Sequence, residues 1–247
     1  MPFTPAHTAI VLPFLRSRYV SATGLIIGTM APDFEYFFKM SVNSRYSHTL
    51  AGLLYFDVPV VLLLALLFHQ VVKAPLFDNL PPYFQRRFYP LRQFSFLPSL
   101  KKNVWIFMLS ALAGGLSHIA WDGFTHNDGY FVTELPFIYE GVVVPLDGAR
   151  YPLWYALQHI STFVGLTALL VYIVMQKPEA VPVKKPQPLY WLLVVLLAFL
   201  ITGLRFGFVW SNLKIGNLVV TIISAFCLAL LVMGIVHRLK GQSVAHG

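Results

Sequence analysis

The chain has 247 residues, of which 57% are hydrophobic and only 11% charged, against roughly 25% charged in an ordinary soluble domain. That balance excludes a soluble globular fold, because too few polar side chains exist to cover a water-exposed surface. The formal charge of +8 and pI near 9.6 do not point to nucleic acid, since the Lys and Arg residues flank apolar runs, where topology and anionic lipid account for them.

In chain order, residues 5–15 and 21–31 are apolar but short. They are bounded by Arg16, Arg18 and Pro32, which suits re-entrant or interfacial helices. The opening MPFTPAH lacks a basic region and carries prolines, so no cleaved signal peptide is expected. Five longer runs follow, at about 50–72, 103–121, 153–175, 190–210 and 216–236, each near the ~20 residues needed to cross the hydrocarbon core. Between the third and fourth, Lys177 to Pro186 is rich in proline and lysine and cannot continue a helix. The expected fold is an all-α integral membrane protein with about five transmembrane helices plus the short N-terminal ones. It forms a single membrane domain over 1–247, with a site-bearing part at 1–165 and a two-span part at 186–247. Cys227 stands alone inside an apolar run, which leaves no disulfide framework and no thiolate metal cluster.

Orientation follows from Lys and Arg. The loop 73–102 holds Lys73, Arg86, Arg87, Arg92, Lys101 and Lys102 against Asp78 alone. The loop 122–152 holds only Arg150 against Asp122, Asp128, Glu134, Glu140 and Asp147. The first is expected in the cytoplasm and the second outside, which also puts residues 1–49 outside.

The segment that carries chemistry closes the second run: His118, Asp122 and His126 recur every fourth residue. On a helix they share one face, and two imidazoles with a carboxylate form a nitrogen and oxygen site suited to zinc or manganese. Gly123 is a possible helix end before His126. Alternation of the spans brings further ligand types to the same membrane face: His48 before span one, His159 in the first turns of span three, and His7 and Asp33 in the attached N-terminal segment. His69, His237 and His246 fall elsewhere and read as solvated or interfacial. Tyr130 to Pro145 reads as either a short hairpin or a lid.

The order His7, Pro32-Asp33, Ser47-His48 and Ser117-His118-x3-Asp122 resembles the uncharacterised membrane-bound metal-dependent hydrolase family, and MPFTPAH with MAPDFEYF resembles a sister family of unknown function within that group. The resemblance covers roughly residues 1–165. The same order is similar to the ligand order of zinc-dependent phospholipase C. By that resemblance Asp33, His48, His118 and Asp122 hold one metal, Asp122 bridges to a second held by His7, and His126 and His159 serve another. The sequence departs from the phospholipase pattern at Phe163, four residues after His159, where a glutamate is needed, so one or two metals are implied rather than three. The resemblance implies a metal-dependent hydrolase of a bacterial inner membrane, with Asp122 among the catalytic groups; the charge count sets the site on the extracytoplasmic face, and a site at the lipid headgroup level suits phosphoester bonds of a membrane lipid or lipid-linked substrate.

Two readings stay open for three further charges. Glu35 is either an orienter of the ligands or general base, or a solvated carboxylate. Arg205 lies ~22 Å along span four, where it either binds a substrate phosphate or pairs with Asp57 in span one. From another functional class, a transporter, metal handler or lipid-binding protein would use the same residues without turnover.

Overall fold

The structure is a computed structural model that describes residues 3–135, 137, 140–143, 148–208 and 214–245. Asp147, His246 and the end of the 130–145 segment at Pro145 lie outside these. Among the described residues, five helices are long and apolar enough to cross a membrane. The only strands among the described residues are β1 (Gly141–Val143) and β2 (Arg150–Pro152), an antiparallel pair with Val142 opposite Tyr151.

The chain opens with a 3₁₀ helix, Thr4–Phe14, started by Pro5 and carrying Pro13 inside it. Then come α1 (Ala22–Gly28), a 3₁₀ turn Ala31–Asp33 and α2 (Phe34–Lys39). These pieces are too short to span, as the flanking Arg and Pro residues imply. The first long helix, α3 (Leu50–Asp78), contains two wider π-type turns at Leu53–Asp57 and Phe68–Val72. Next are α4 (Pro82–Gln93), α5 (Phe96–Lys102), α6 (Val104–Thr125) and α7 (Tyr130–Glu134). The remaining helices are α8 (Leu153–Val174), α9 (Pro188–Phe208) and α10 (Ile215–Ala245). Pro152 and Pro188 stand where α8 and α9 begin, positions at which a missing N–H costs nothing.

The chain divides into two compact units. The first comprises residues 1–33, 46–61 and 103–175, the second residues 34–45, 62–102 and 176–247.

In the first unit α1 lies against α6 at backbone contact distance. A Cβ on Gly24 would come within 2.7 Å of the Phe107 carbonyl, one on Gly114 within 2.5 Å of the Leu25 carbonyl, and one on Gly28 would collide with the Ala111 carbonyl. Gly24-x3-Gly28 facing Ser110-x3-Gly114 is the small-residue pattern that lets membrane helices close up without side chains between them. The 3₁₀ helix is held the same way, with Gly165 of α8 against the Ala6 carbonyl.

In the second unit the expected loop 73–102 is largely helical. It buries His69 rather than leaving it solvated: the residue is 7% exposed and its ring stacks on Phe96 at 4.6 Å. The physical reason is that α5 supplies an aromatic face to an imidazole at the end of an apolar helix. Asp78 binds Arg92 through two hydrogen bonds and Lys184 at 2.8 Å, and α10 joins α2 where Ser224 donates to the Phe37 carbonyl.

Candidate metal centre

All four residues of the tightest ligand cluster belong to the first unit. The helix α6 runs past Gly123 to Thr125, so His118 and Asp122 share a face, and His126 caps the end with its N–H donating to the Asp122 carbonyl. Asp33 ends the 3₁₀ turn after α1, and His48 sits just before α3. Close packing of α1 on α6 sets the distance between these pieces.

One donor atom from each of Asp33, His48, His118 and Asp122 lies within 4.8 Å of every other. His48 Nε2 is 3.5 Å from Asp33 Oδ1 and 3.6 Å from Asp122 Oδ2, and His118 Nε2 is 3.6 Å and 3.2 Å from the same two oxygens. A tetrahedral ion with ~2.1 Å bonds separates its ligands by ~3.4 Å, so these four separations fit a small divalent cation.

The surrounding hydrogen bonds aim the donors inward. Because α1 ends at Gly28, the Thr29 carbonyl has no partner further along the helix. It accepts from His118 Nδ1 at 2.8 Å, which leaves Nε2 as the ring atom that faces the carboxylates. Thr4 donates to Asp33 Oδ2 at 2.5 Å and leaves Oδ1 for the cluster, and Ser47 Oγ lies 3.0 Å from His48 Nδ1. Partners of this kind fix ring and carboxylate orientation around metals. Asp33 Oδ1, His118 Nε2 and both Asp122 oxygens are buried and have no hydrogen-bond partner. The contacts at 3.2–3.6 Å are face-to-face approaches without hydrogen-bond geometry. Buried acceptors crowded together in this way are costly unless a cation sits among them.

The electrostatics agree. Burial opposes charge on His48, yet the neighbouring Asp122 and Asp33 carboxylates raise its pKa to about 9. Burial also opposes charge on Asp33, yet His118, His48 and Thr4 hold its pKa below the usual value. Burial, together with His118, pushes His7 down to about 4. Two carboxylates in this enclosure demand positive charge beside them.

Asp122 divides its oxygens. Oδ2 faces His48 and His118, whereas Oδ1 lies 3.5 Å from His7 Nε2 and 3.6 Å from His126 Nδ1. His7 stacks on His118 with ring centroids 3.9 Å apart. The side chains of His48 and His126 remain 21% and 24% exposed while Asp33 and His118 are fully enclosed, so the centre is reached from the His48 and His126 side.

Six of the seven expected ligands therefore meet. The seventh, His159, is exposed on α8 with its ring against Tyr155, outside the cluster. Glu35 belongs to the second unit, where it is buried and its Oε1 takes Lys39 Nζ at 2.5 Å and the Arg45 N–H at 2.8 Å. Arg205 is also in the second unit, with its guanidinium 5.9 Å from the Phe206 ring, while Asp57 is buried in the first. Sequence reasoning passed over Thr4 and the Thr29 carbonyl. Thr4 three residues before His7, and the Gly24-x3-Gly28 pair ending at Thr29, were the available signals.

A family model described as a domain of unknown function (DUF4184) matches residues 1–235. No curated protein and no solved structure matches the chain.

Proposed function

The chain belongs to the DUF4184 family, and we propose that it is a membrane-bound metal-dependent hydrolase acting on phosphoester bonds of lipid or lipid-linked substrates. One divalent ion, zinc with manganese as the alternative, is held by Asp33, His48, His118 and Asp122. The observation that carries this reading is the convergence of four donor atoms within 4.8 Å, with His118 Nε2 turned inward by the Nδ1 contact to the Thr29 carbonyl.

A bound divalent ion supplies polarisation of a phosphoryl oxygen and activation of a water. The chain's own groups do the rest. Thr4 and Ser47 orient Asp33 and His48, and the closed packing of α1 on α6 keeps water from Asp33 and His118. The partly exposed His48 and His126 edge admits substrate and water. Asp122 Oδ1, turned toward His7 and His126, is placed to take part in proton movement beside the ion or to hold a second one. Nothing in this reading draws on His159, Glu35 or Arg205. The charge pattern of the loops favours the extracytoplasmic face, and the family resemblance favours a bacterial inner membrane.

The test is elemental mass spectrometry on protein purified in detergent without chelator, comparing wild type with His118→Ala and Asp122→Ala. Near-stoichiometric zinc or manganese lost in both variants, with turnover of phosphoester lipids that follows metal content, is expected. Metal bound without turnover of any such lipid would favour a metal-handling or transport role, and metal-free wild type that stays empty after zinc addition ends the reading.

A further inference from the structure

Beside the metal centre the first unit contains an apolar pocket of about 270 Å³. Its walls come from three elements: Ala6, His7 and Ala9 of the 3₁₀ helix, Trp121 of α6, and Ile160 and Val164 of α8. At the ~30 Å³ that one water occupies in the liquid, the space accommodates about nine groups of that size. Water is a poor occupant of such a lining, whose only polar side chains besides His7 are the hydroxyls of Ser117 and Ser161 and the indole of Trp121. The Ser117 and Ser161 hydroxyls each donate to a carbonyl of their own helix, Gly114 and Gln158.

Two observations say what fills it. First, Ile160 and Val164 are each 57% exposed on a helix long and apolar enough to cross a membrane, so the pocket's outer wall is the protein's lipid-facing surface. Second, the inner wall is His7, whose Nε2 is 3.5 Å from Asp122 Oδ1 and whose ring stacks on His118. The pocket thus runs from the bilayer side to the edge of the candidate metal centre, with His7 as the boundary.

We propose that this pocket holds part of one acyl chain of the phosphoester lipid whose headgroup reaches the metal centre. The inference rests on the hydrolase reading above and adds to it the subsite that takes the lipid's chain and the side from which the lipid enters, laterally from the bilayer. His7 is the positioning residue between chain and headgroup.

The test uses the full-length protein in detergent and phosphatidylglycerol carrying a photoreactive diazirine midway along one acyl chain. Labelling is mapped by peptide mass spectrometry, and metal content is measured on the same samples. Two variants fill the pocket from different elements, Ala9→Phe and Val164→Trp, so that a folding failure of one leaves the other. Phe163→Trp, at a position 73% exposed on the same helix and not part of the lining, is the control. In wild type, labels are expected on residues 6–10, 117–121 and 157–165. Labelling there is expected to fall about tenfold in both filling variants, with metal content unchanged and the control labelled like wild type. Label spread over the lipid-facing helices without enrichment at these segments, or undiminished in both filling variants, overturns the proposal even if metal is present. Enriched labelling in wild type that contains no metal sustains the chain pocket while sinking the metal reading, which keeps the two failures apart.

Discussion

Each unit of this protein holds buried or half-buried carboxylates near the ends of membrane-spanning helices, and the two solve the problem differently. In the second unit Asp78 is matched by Arg92 and Lys184, and Glu35 by Lys39 and the Arg45 N–H, so each acidic group meets donors. In the first unit Asp33 and Asp122 are surrounded chiefly by imidazoles whose nitrogens face them without hydrogen-bond geometry, with Thr4 donating to only one oxygen. The lesson is that the number of buried acids does not mark a ligand site. A surplus of acceptors over donors points to a candidate one, because such a set calls for positive charge, from a protonated imidazole or a bound cation.

The same substitution in the two units sharpens that contrast most. Asp122→Asn is expected to remove essentially all bound metal, measured by elemental mass spectrometry. In Thr4→Val the loss of the hydroxyl that holds Asp33 Oδ2 should weaken metal affinity about 10–100-fold, read by competition with a chelating dye. Gly28→Leu forces a side chain into the Ala111 backbone and should cost about 1–3 kcal/mol in thermal unfolding in detergent, with metal lost alongside as the Thr29 carbonyl moves. Asp78→Asn should cost about 1 kcal/mol or less, because its partners are partly exposed, and should leave metal content intact. The smallest effect belongs to His159→Ala, for which unchanged metal content is expected. If Asp78→Asn emptied the site while Asp122→Asn did not, the comparison between the units would collapse.

The spans were legible because crossing hydrocarbon needs only length and apolarity, and both are local properties of a sequence. Runs read at 103–121 and 153–175 became helices Val104–Thr125 and Leu153–Val174. The apolar run of span one was legible to residue 72, but its helix continues to Asp78, because the Lys73 ammonium reaches the Phe94 carbonyl and lets a charged turn stay helical. His118 and Asp122 were legible as neighbours because four residues make about one helical turn. That His48 and Asp33 face them depended on alternation of spans, which fixes a membrane side but not a distance. His159 satisfied that same side criterion and still points away, since a helix offers several faces at one depth.

Composition by itself therefore determined that the chain lives in a membrane, about where it crosses, and which residue types gather at one end. Only the tertiary structure decided which of them meet. The glycine contact between α1 and α6 delivers the Thr29 carbonyl to His118, and Thr4 from the 3₁₀ helix turns Asp33 into the cluster. Those contacts join residues 29 to 89 positions apart, and a periodicity of 3.6 residues carries no information at that separation.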